Sequence, residues 1–168
     1  MGCSHVGLGM RPDSFADTAE GWSGFISDVN RICRQVADAG MTFGYHNHAF
    51  EFRKIDGVRA IDRLAGECPG LDFILDVFWV QAAGGNPSEW LEKLAGRVRL
   101  VHLKDYAAPK RFAEVGSGNL DWNDIIPRCR RLGIPRAVVE QDGDFASGDP
   151  FDSLAASRKF LVERGFWG

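Results

Sequence analysis

Short apolar runs alternate along this chain with longer stretches in which apolar residues recur every three or four positions. The first run, His5 to Met10, leads through a polar loop to apolar positions at Trp22, Phe25, Ile26, Val29, Ile32 and Val36. That spacing draws one stripe along a helix from about Glu20 to Ala39, and Gly40 suits its C-terminal stop. A second run, Met41 to His48, is aromatic and β-branched enough for a strand. Val58 to Leu64 is a shorter helical candidate, closed by Pro69-Gly70. The third run, Phe73 to Val80, is nearly all apolar, as strands covered on both faces of a parallel sheet are. Asn86-Pro87-Ser88-Glu89 then opens a helix, with Asn as cap, Pro at the first helical position and Glu three residues after the cap. Gly96 ends it. The fourth run is Val98 to Lys104. After a Gly-rich loop, Asp121 caps a helix to about Arg131, in which Pro127 is a possible kink. The fifth run is Ala137 to Glu140. A last helix starts at Asp149-Pro150, with Phe151, Leu154, Phe160 and Leu161 expected to face inward, and stops near Gly165.

Five strands alternating with helices predict an α/β protein whose parallel sheet is built from βαβ units. No repeat, low-complexity tract or linker divides the chain, so residues 1–168 read as a single domain. A net charge of -3 leaves no basic footprint, which argues against nucleic acid as a partner. No apolar run approaches the ~20 residues of a membrane helix, and the N-terminus lacks the pattern of a signal peptide. Cys3, Cys33, Cys68 and Cys129 are scattered, without a CxxC pair, which fits a reduced cytoplasmic protein better than a zinc-thiolate or disulfide framework.

The ionisable residues that change this picture stand at strand ends. His46 and His48 follow Phe43-Gly44-Tyr45, Asp76 follows Phe73-Ile74-Leu75, His102 and Lys104 follow Val98 to Val101, and Glu140 and Asp142 follow Val138-Val139. Residues two apart share a face of a strand, so the members of each pair point together. Ligands of parallel α/β proteins bind at the C-terminal strand ends. Charges converging beside apolar strands ask for a compensating cation or ligand. Two imidazoles and two carboxylates suit a divalent metal such as Mn²⁺, Co²⁺, Zn²⁺ or Mg²⁺, and His46, Asp76, His102 and Glu140 are the expected ligands. For any one of them a solvated strand end is an equal reading; for all four in register it is a weaker one.

The same residues carry a family pattern. Gly44-Tyr45-His46-Asn47-His48 with Glu51-Phe52, Leu75-Asp76-Val77 with Trp79, Val101-His102-Leu103-Lys104-Asp105, the stretch Gly116 to Trp122, and Val139-Glu140 resemble, in order, the sugar phosphate isomerase/epimerase family. The resemblance implies the xylose isomerase-like TIM barrel and a metal site with one ligand from each of the last four strands, typically Glu, Asp, His and Glu. Asp76, His102 and Glu140 match those positions, whereas His46 stands where many relatives have Glu. Since paired glutamates act as acid and base in that family, the departure weakens a two-base epimerase mechanism. The His-Asn-His motif points toward a subgroup of dehydratases, keto-sugar isomerases and lyases. A full (β/α)8 barrel takes ~250 residues. The resemblance therefore implies that this chain holds about the last five β/α units of a partial barrel. It would be a fragment, or a homo-oligomer covering two open sheet edges.

The implied chemistry is metal-dependent proton transfer next to a carbonyl on a sugar or polyol, phosphorylated or not, by way of an enediolate. Glu140 is the expected base. His48 is a second acid/base or a substrate partner, with orientation of a ligand an even alternative. Lys104 faces a developing oxyanion or a substrate phosphate, unless it only pairs with Asp105, Asp142 or Glu140. Trp79 walls the sugar ring. Asp142 is a substrate contact, and Glu51 is expected to order the loop after the second strand. Gly116-Ser117-Gly118 reads as a tight turn ahead of a phosphate loop. Two rivals remain: a related dehydratase or lyase acting on keto-sugars or inosose-like polyols, and a truncated, non-catalytic remnant or partner subunit. A DNA-repair endonuclease of the same superfold would need more than four histidines and a basic surface.

Overall fold

The computed structural model describes residues 2–166. In chain order the elements are strand β1 (His5–Leu8), helix α1 (Ala19–Asp38), β2 (Thr42–His46), a single 3-10 turn (Phe50–Phe52), β3 (Lys54–Ile55), β4 (Val58–Arg59), α2 (Ala60–Glu67), β5 (Leu71–Asp76) and α3 (Val77–Ala82). Then follow α4 (Pro87–Lys93), β6 (Val98–Leu103), β7 (Asp105–Ala107), β8 (Arg111–Ala113), α5 (Trp122–Arg131), β9 (Ala137–Val139) and α6 (Pro150–Glu163). One sheet runs β1-β2-β5-β6-β9, and β3-β4 and β7-β8 form two small antiparallel hairpins. Every pairing in the large sheet is parallel, as βαβ units require. The result is a curled, partial barrel.

The two faces of this sheet divide the work. Phe43, Tyr45, Phe73, Leu75, Val101 and Leu103 are buried in the core, joined by Trp22, Phe25, Ile26 and Val29 of α1 and by Ile125 and Ile126 of α5. At ~1.5–3 kcal/mol per fully buried side chain, this layer supplies the main stabilisation of the sheet. Thr18 caps α1 by accepting from Gly21 N at 3.2 Å, and Gly40 leaves it in a left-handed conformation (φ 73°). On the other face Ile74 lies across two glycines. A Cβ at Gly7 would sit 2.6 Å from Ile74 Cδ1, so a larger residue there would push the end of that side chain aside from the middle of the sheet. The next inward position on three strands belongs to His46, Asp76 and His102.

The structure corrects three expectations. The run Phe73 to Val80 is not one strand: β5 ends at Asp76 and Val77–Ala82 is helical, because the Asp76 carboxylate accepts from Trp79 N and starts a turn. Val58 and Arg59 belong to a hairpin, and the helix begins at Ala60. Phe151 and Leu154 do not face inward. They are 77% and 42% exposed, and α6 packs through Ser153, Ser157 and Leu161 instead. α5 continues through Pro127.

Candidate metal centre

Each expected ligand reaches the same place from a different strand. One donor atom from each of His46, Asp76, His102 and Glu140 can be chosen so that all four lie within 4.8 Å of one another. Asp76 is the hub and is fully buried. Its Oδ2 lies 3.3 Å from His46 Nε2, 3.4 Å from Lys104 Nζ and 3.7 Å from His102 Nδ1. Its Oδ1 accepts from Trp79 N at 3.1 Å. Asn47, itself buried, clamps the Asp76 backbone from both sides: Asp76 N donates to Asn47 Oδ1 at 3.0 Å, and Asn47 Nδ2 donates to Asp76 O at 3.3 Å.

The histidines are oriented for coordination. His46 Nδ1 lies 3.1 Å from Gly9 O, a carbonyl that can only accept from it, and Nε2 faces Asp76 Oδ2 at 3.3 Å. His102 Nδ1 lies 2.8 Å from Glu140 Oε2. Burial alone would lower His102, but hydrogen bonds to Asp76 and Glu140 outweigh it and hold the imidazole up at about 9. In return the His102 hydrogen bond, opposed by burial and aided by Lys104, holds Glu140 down at about 2. Burial would raise Asp76, yet His102, His46 and Lys104 keep it well below the usual carboxylate range. His102 and Lys104 are thus the groups whose positive charge these carboxylates favour.

Lys104 is 1% exposed and pairs with Asp142 Oδ2 at 2.7 Å, Glu140 Oε2 at 2.8 Å and Asp76 Oδ2 at 3.4 Å, but not with Asp105. Burial would lower it, and those three carboxylates raise it instead. The strands stop at His46, Leu103 and Val139, so the second member of each expected pair lies beyond the strand. All three still face inward: the His48 ring sits 4.7 Å from that of His46, and Lys104 and Asp142 meet each other. His48 also lies 5.3 Å from Trp79, and burial, then the charge of His46, lowers its pKa. Glu51 orders this corner by accepting from His48 N at 2.8 Å and from the Tyr45 hydroxyl at 2.5 Å.

The set fits a divalent ion. Four nitrogen and oxygen donors with this spread close to bonds of ~2 Å by small side-chain movements, and their hardness suits Mn²⁺, Co²⁺, Zn²⁺ or Mg²⁺. Gly116 and Gly118 do turn tightly, but their amides donate to Asp105 Oδ2 at 2.8 and 3.1 Å, so the chain's own carboxylate fills that loop. Two residues of consequence escaped the sequence reading. Asn47 stood in plain view between two histidines; Asp105, named in the family motif and as a possible partner for Lys104, is the anchor of residues 106–122.

Comparison with known proteins fits this geometry. The inosose dehydratase of Clostridium beijerinckii is 25% identical over 169 residues, an alignment covering 86% of this chain and 55% of that protein. Among solved structures, a sugar phosphate isomerase/epimerase from Parabacteroides distasonis superposes with a TM-score of 0.82 at 24% identity, over 94% of this chain and 57% of the other. The IOLI protein, in a crystal structure with a zinc atom, gives a TM-score of 0.68 at 13% identity over 95% and 62%. The chain thus spans little more than half the length of the curated relatives it matches. With the match running through residues 1–162, the chain belongs to the xylose isomerase-like TIM barrel family.

Proposed function

We propose that this chain carries the active centre of a divalent-metal-dependent enzyme that removes a proton next to a carbonyl on a polyol ketone and then expels water, as a dehydratase. The observation that carries the reading is the convergence of His46, Asp76, His102 and Glu140 on one point at the strand ends. Similarity to inosose dehydratases over 86% of the chain favours water loss as the outcome. So does the single well-placed base. With His46 where relatives with two catalytic glutamates have the first, Glu140 stands alone, and elimination needs one base where epimerisation needs two.

When bound, the divalent ion supplies Lewis-acid stabilisation of the oxygen charge that develops as the proton leaves. Glu140 takes that proton and hands it to the departing hydroxyl, so that the oxygen leaves as water; its side chain is 35% exposed, so a substrate can reach it. Lys104 holds Glu140 and Asp142 in place and keeps positive charge beside the reacting oxygen. His48, kept neutral by burial, hydrogen-bonds a substrate hydroxyl, and Trp79 walls the ring. Asp142 meets a further hydroxyl from beyond β9. The enzyme is expected to work in the cytoplasm on carbohydrates or polyols. It is also expected to form a homo-oligomer that covers the open edges β1 and β9, where Val138 is 45% exposed.

The test is incubation of the metal-loaded protein with an inosose in D₂O, followed by NMR and by absorbance of the conjugated enone. Metal-dependent water loss supports the dehydratase. Metal-dependent deuterium exchange with the hydroxyls retained would make the protein an isomerase or epimerase. Neither event, in a protein that binds no divalent ion, would leave a non-catalytic relative.

A further inference from the structure

One cation near the centre remains uncommitted. Lys104 is saturated by three carboxylates, and the amides of the Gly116–Gly118 loop are taken by Asp105. Lys110, at the tip of the β7-β8 hairpin, is exposed and makes no ion pair among the described residues. Its Nζ lies over the Trp79 indole, 5.2 Å from the ring centroid. Trp79 is no ordinary platform, because its backbone N–H is held by Asp76, the hub of the metal centre. Its indole also touches the site's edge at His48, ring to ring at 5.3 Å. Lys110 therefore stands one side chain away from the proposed reaction.

Its position is built rather than loose. Lys110 has φ 153°, outside the region L residues favour, and neighbours fix the tip around it. Tyr106 Oη donates to Pro109 O at 3.1 Å, Ala108 N to Asn119 Oδ1 at 3.0 Å, and Phe112 N to Asp144 Oδ2 at 2.9 Å. A second unsatisfied donor belongs to the same pair of residues. Trp79 Nε1 is buried and has no hydrogen-bond partner. An exposed ammonium and an orphaned indole N–H offer donors only, and the positive charge of the ammonium favours an anionic acceptor over a neutral one.

We propose that Lys110 and Trp79 form a subsite for an anionic oxygen group, a carboxylate or a phosphate ester, carried by the substrate away from the reacting carbon. The assignment rests on the enzymatic reading above and narrows it: the preferred substrate is a polyol ketone that also bears such an anionic group, which a plain inosose lacks.

The chain's five tryptophans give up to five indole N–H signals by NMR, and Trp79→Phe identifies that of Trp79. Inorganic phosphate and acetate are titrated separately into the metal-free protein, with sodium chloride at matched ionic strength as reference. A saturable shift confined to the Trp79 signal is expected, at a concentration at least about tenfold below that of chloride. Lys110→Met should raise the half-saturating concentration about tenfold and Lys110→Arg should restore it, while the other indole signals report an intact fold. The tighter of the two anions tells ester from carboxylate. A response no stronger than chloride, or one that persists in Lys110→Met, overturns the proposal. Mn²⁺ added in a separate titration reads the centre by broadening the Trp79 signal. If broadening fails while the anion response is intact, the enzymatic reading falls and the anion subsite stands.

Discussion

Asp105→Ala is expected to destabilise the fold by about 4 kcal/mol, although Asp105 touches neither the metal ligands nor the substrate wall. The carboxylate is fully buried and accepts five hydrogen bonds. They come from Tyr106 N at 2.7 Å, Gly116 N at 2.8 Å, Gly118 N at 3.1 Å, Leu120 N at 3.2 Å and Trp122 Nε1 at 2.6 Å. Three of these donors are only partly buried, and water can replace the lost acceptor. Leu120 N and Trp122 Nε1 are buried, and each orphaned buried donor costs ~1–3 kcal/mol. Against a net stability of ~5–15 kcal/mol for a domain, that is a large share. Asp105→Asn keeps one acceptor oxygen but turns an NH₂ group toward donors, so about 2–3 kcal/mol is expected. Urea unfolding followed by circular dichroism measures both, provided the slope stays constant across variants. An alanine variant within ~1 kcal/mol of the parent would refute the account of Asp105 as the anchor of this loop.

Three further outcomes follow from the same geometry. Lys104→Met leaves Asp76, Glu140 and Asp142 without their shared cation; a loss of about 3 kcal/mol is expected in the metal-free protein, and Mn²⁺ should raise the variant's Tm more than the parent's. Equal metal-induced shifts would contradict this. His102 keeps its proton up to about 9, so a divalent ion must displace that proton, and affinity should climb roughly tenfold per pH unit below that value and level off above it. Titration calorimetry in buffers of different ionisation enthalpy counts the released proton, and an affinity flat between pH 7 and 9 would be incompatible with the network. Among the cysteines only Cys3 is exposed, while burial pushes Cys68 up to about 11 and Cys129 up to about 12. A thiol reagent at pH 8 should therefore react quickly with one of the four in the native protein and with all four in denaturant.

The parts of the molecule readable beforehand are those in which one periodicity dominates. The stripe of Trp22, Phe25, Ile26 and Val29 could only be a helix against a core, and the apolar runs that end in His46, Asp76 and His102 could only be strands ending in polar groups. The convergence of His46, Asp76, His102 and Glu140 was legible for the same reason, since the C-terminal end of each parallel strand is a fixed place in space. Where apolar residues continue past the end of a strand into a helix, as after Asp76, hydrophobicity alone is silent. The signal lay in the Asp76 side chain, which can cap the turn that follows it. The exposed Phe151 and Leu154 were misjudged because apolar residues were counted without asking what α6 packs against. Ser153 and Ser157 face inward instead, since each hydroxyl has a buried partner: Ser153 Oγ donates to Glu114 Oε1 at 2.6 Å and Ser157 Oγ accepts from Val115 N at 2.9 Å. Asp105 was invisible as an anchor because four of its five donors are backbone amides, three of them 11 to 15 residues away, and amides carry no letter in the sequence.

Asp76 uses one oxygen to start helix α3 and the other to meet the charges of the centre. The two tasks share a rigid planar group only three bonds from the chain, so neither oxygen can move without turning its twin. Whatever pulls on the inner oxygen is felt at once as a twist on the first turn of the helix that carries Phe78 and Trp79. A load on the inner oxygen and the tilt of Phe78 and Trp79 are thereby geared together, so a change at the strand ends reaches the aromatic side chains of α3 through that one carboxylate.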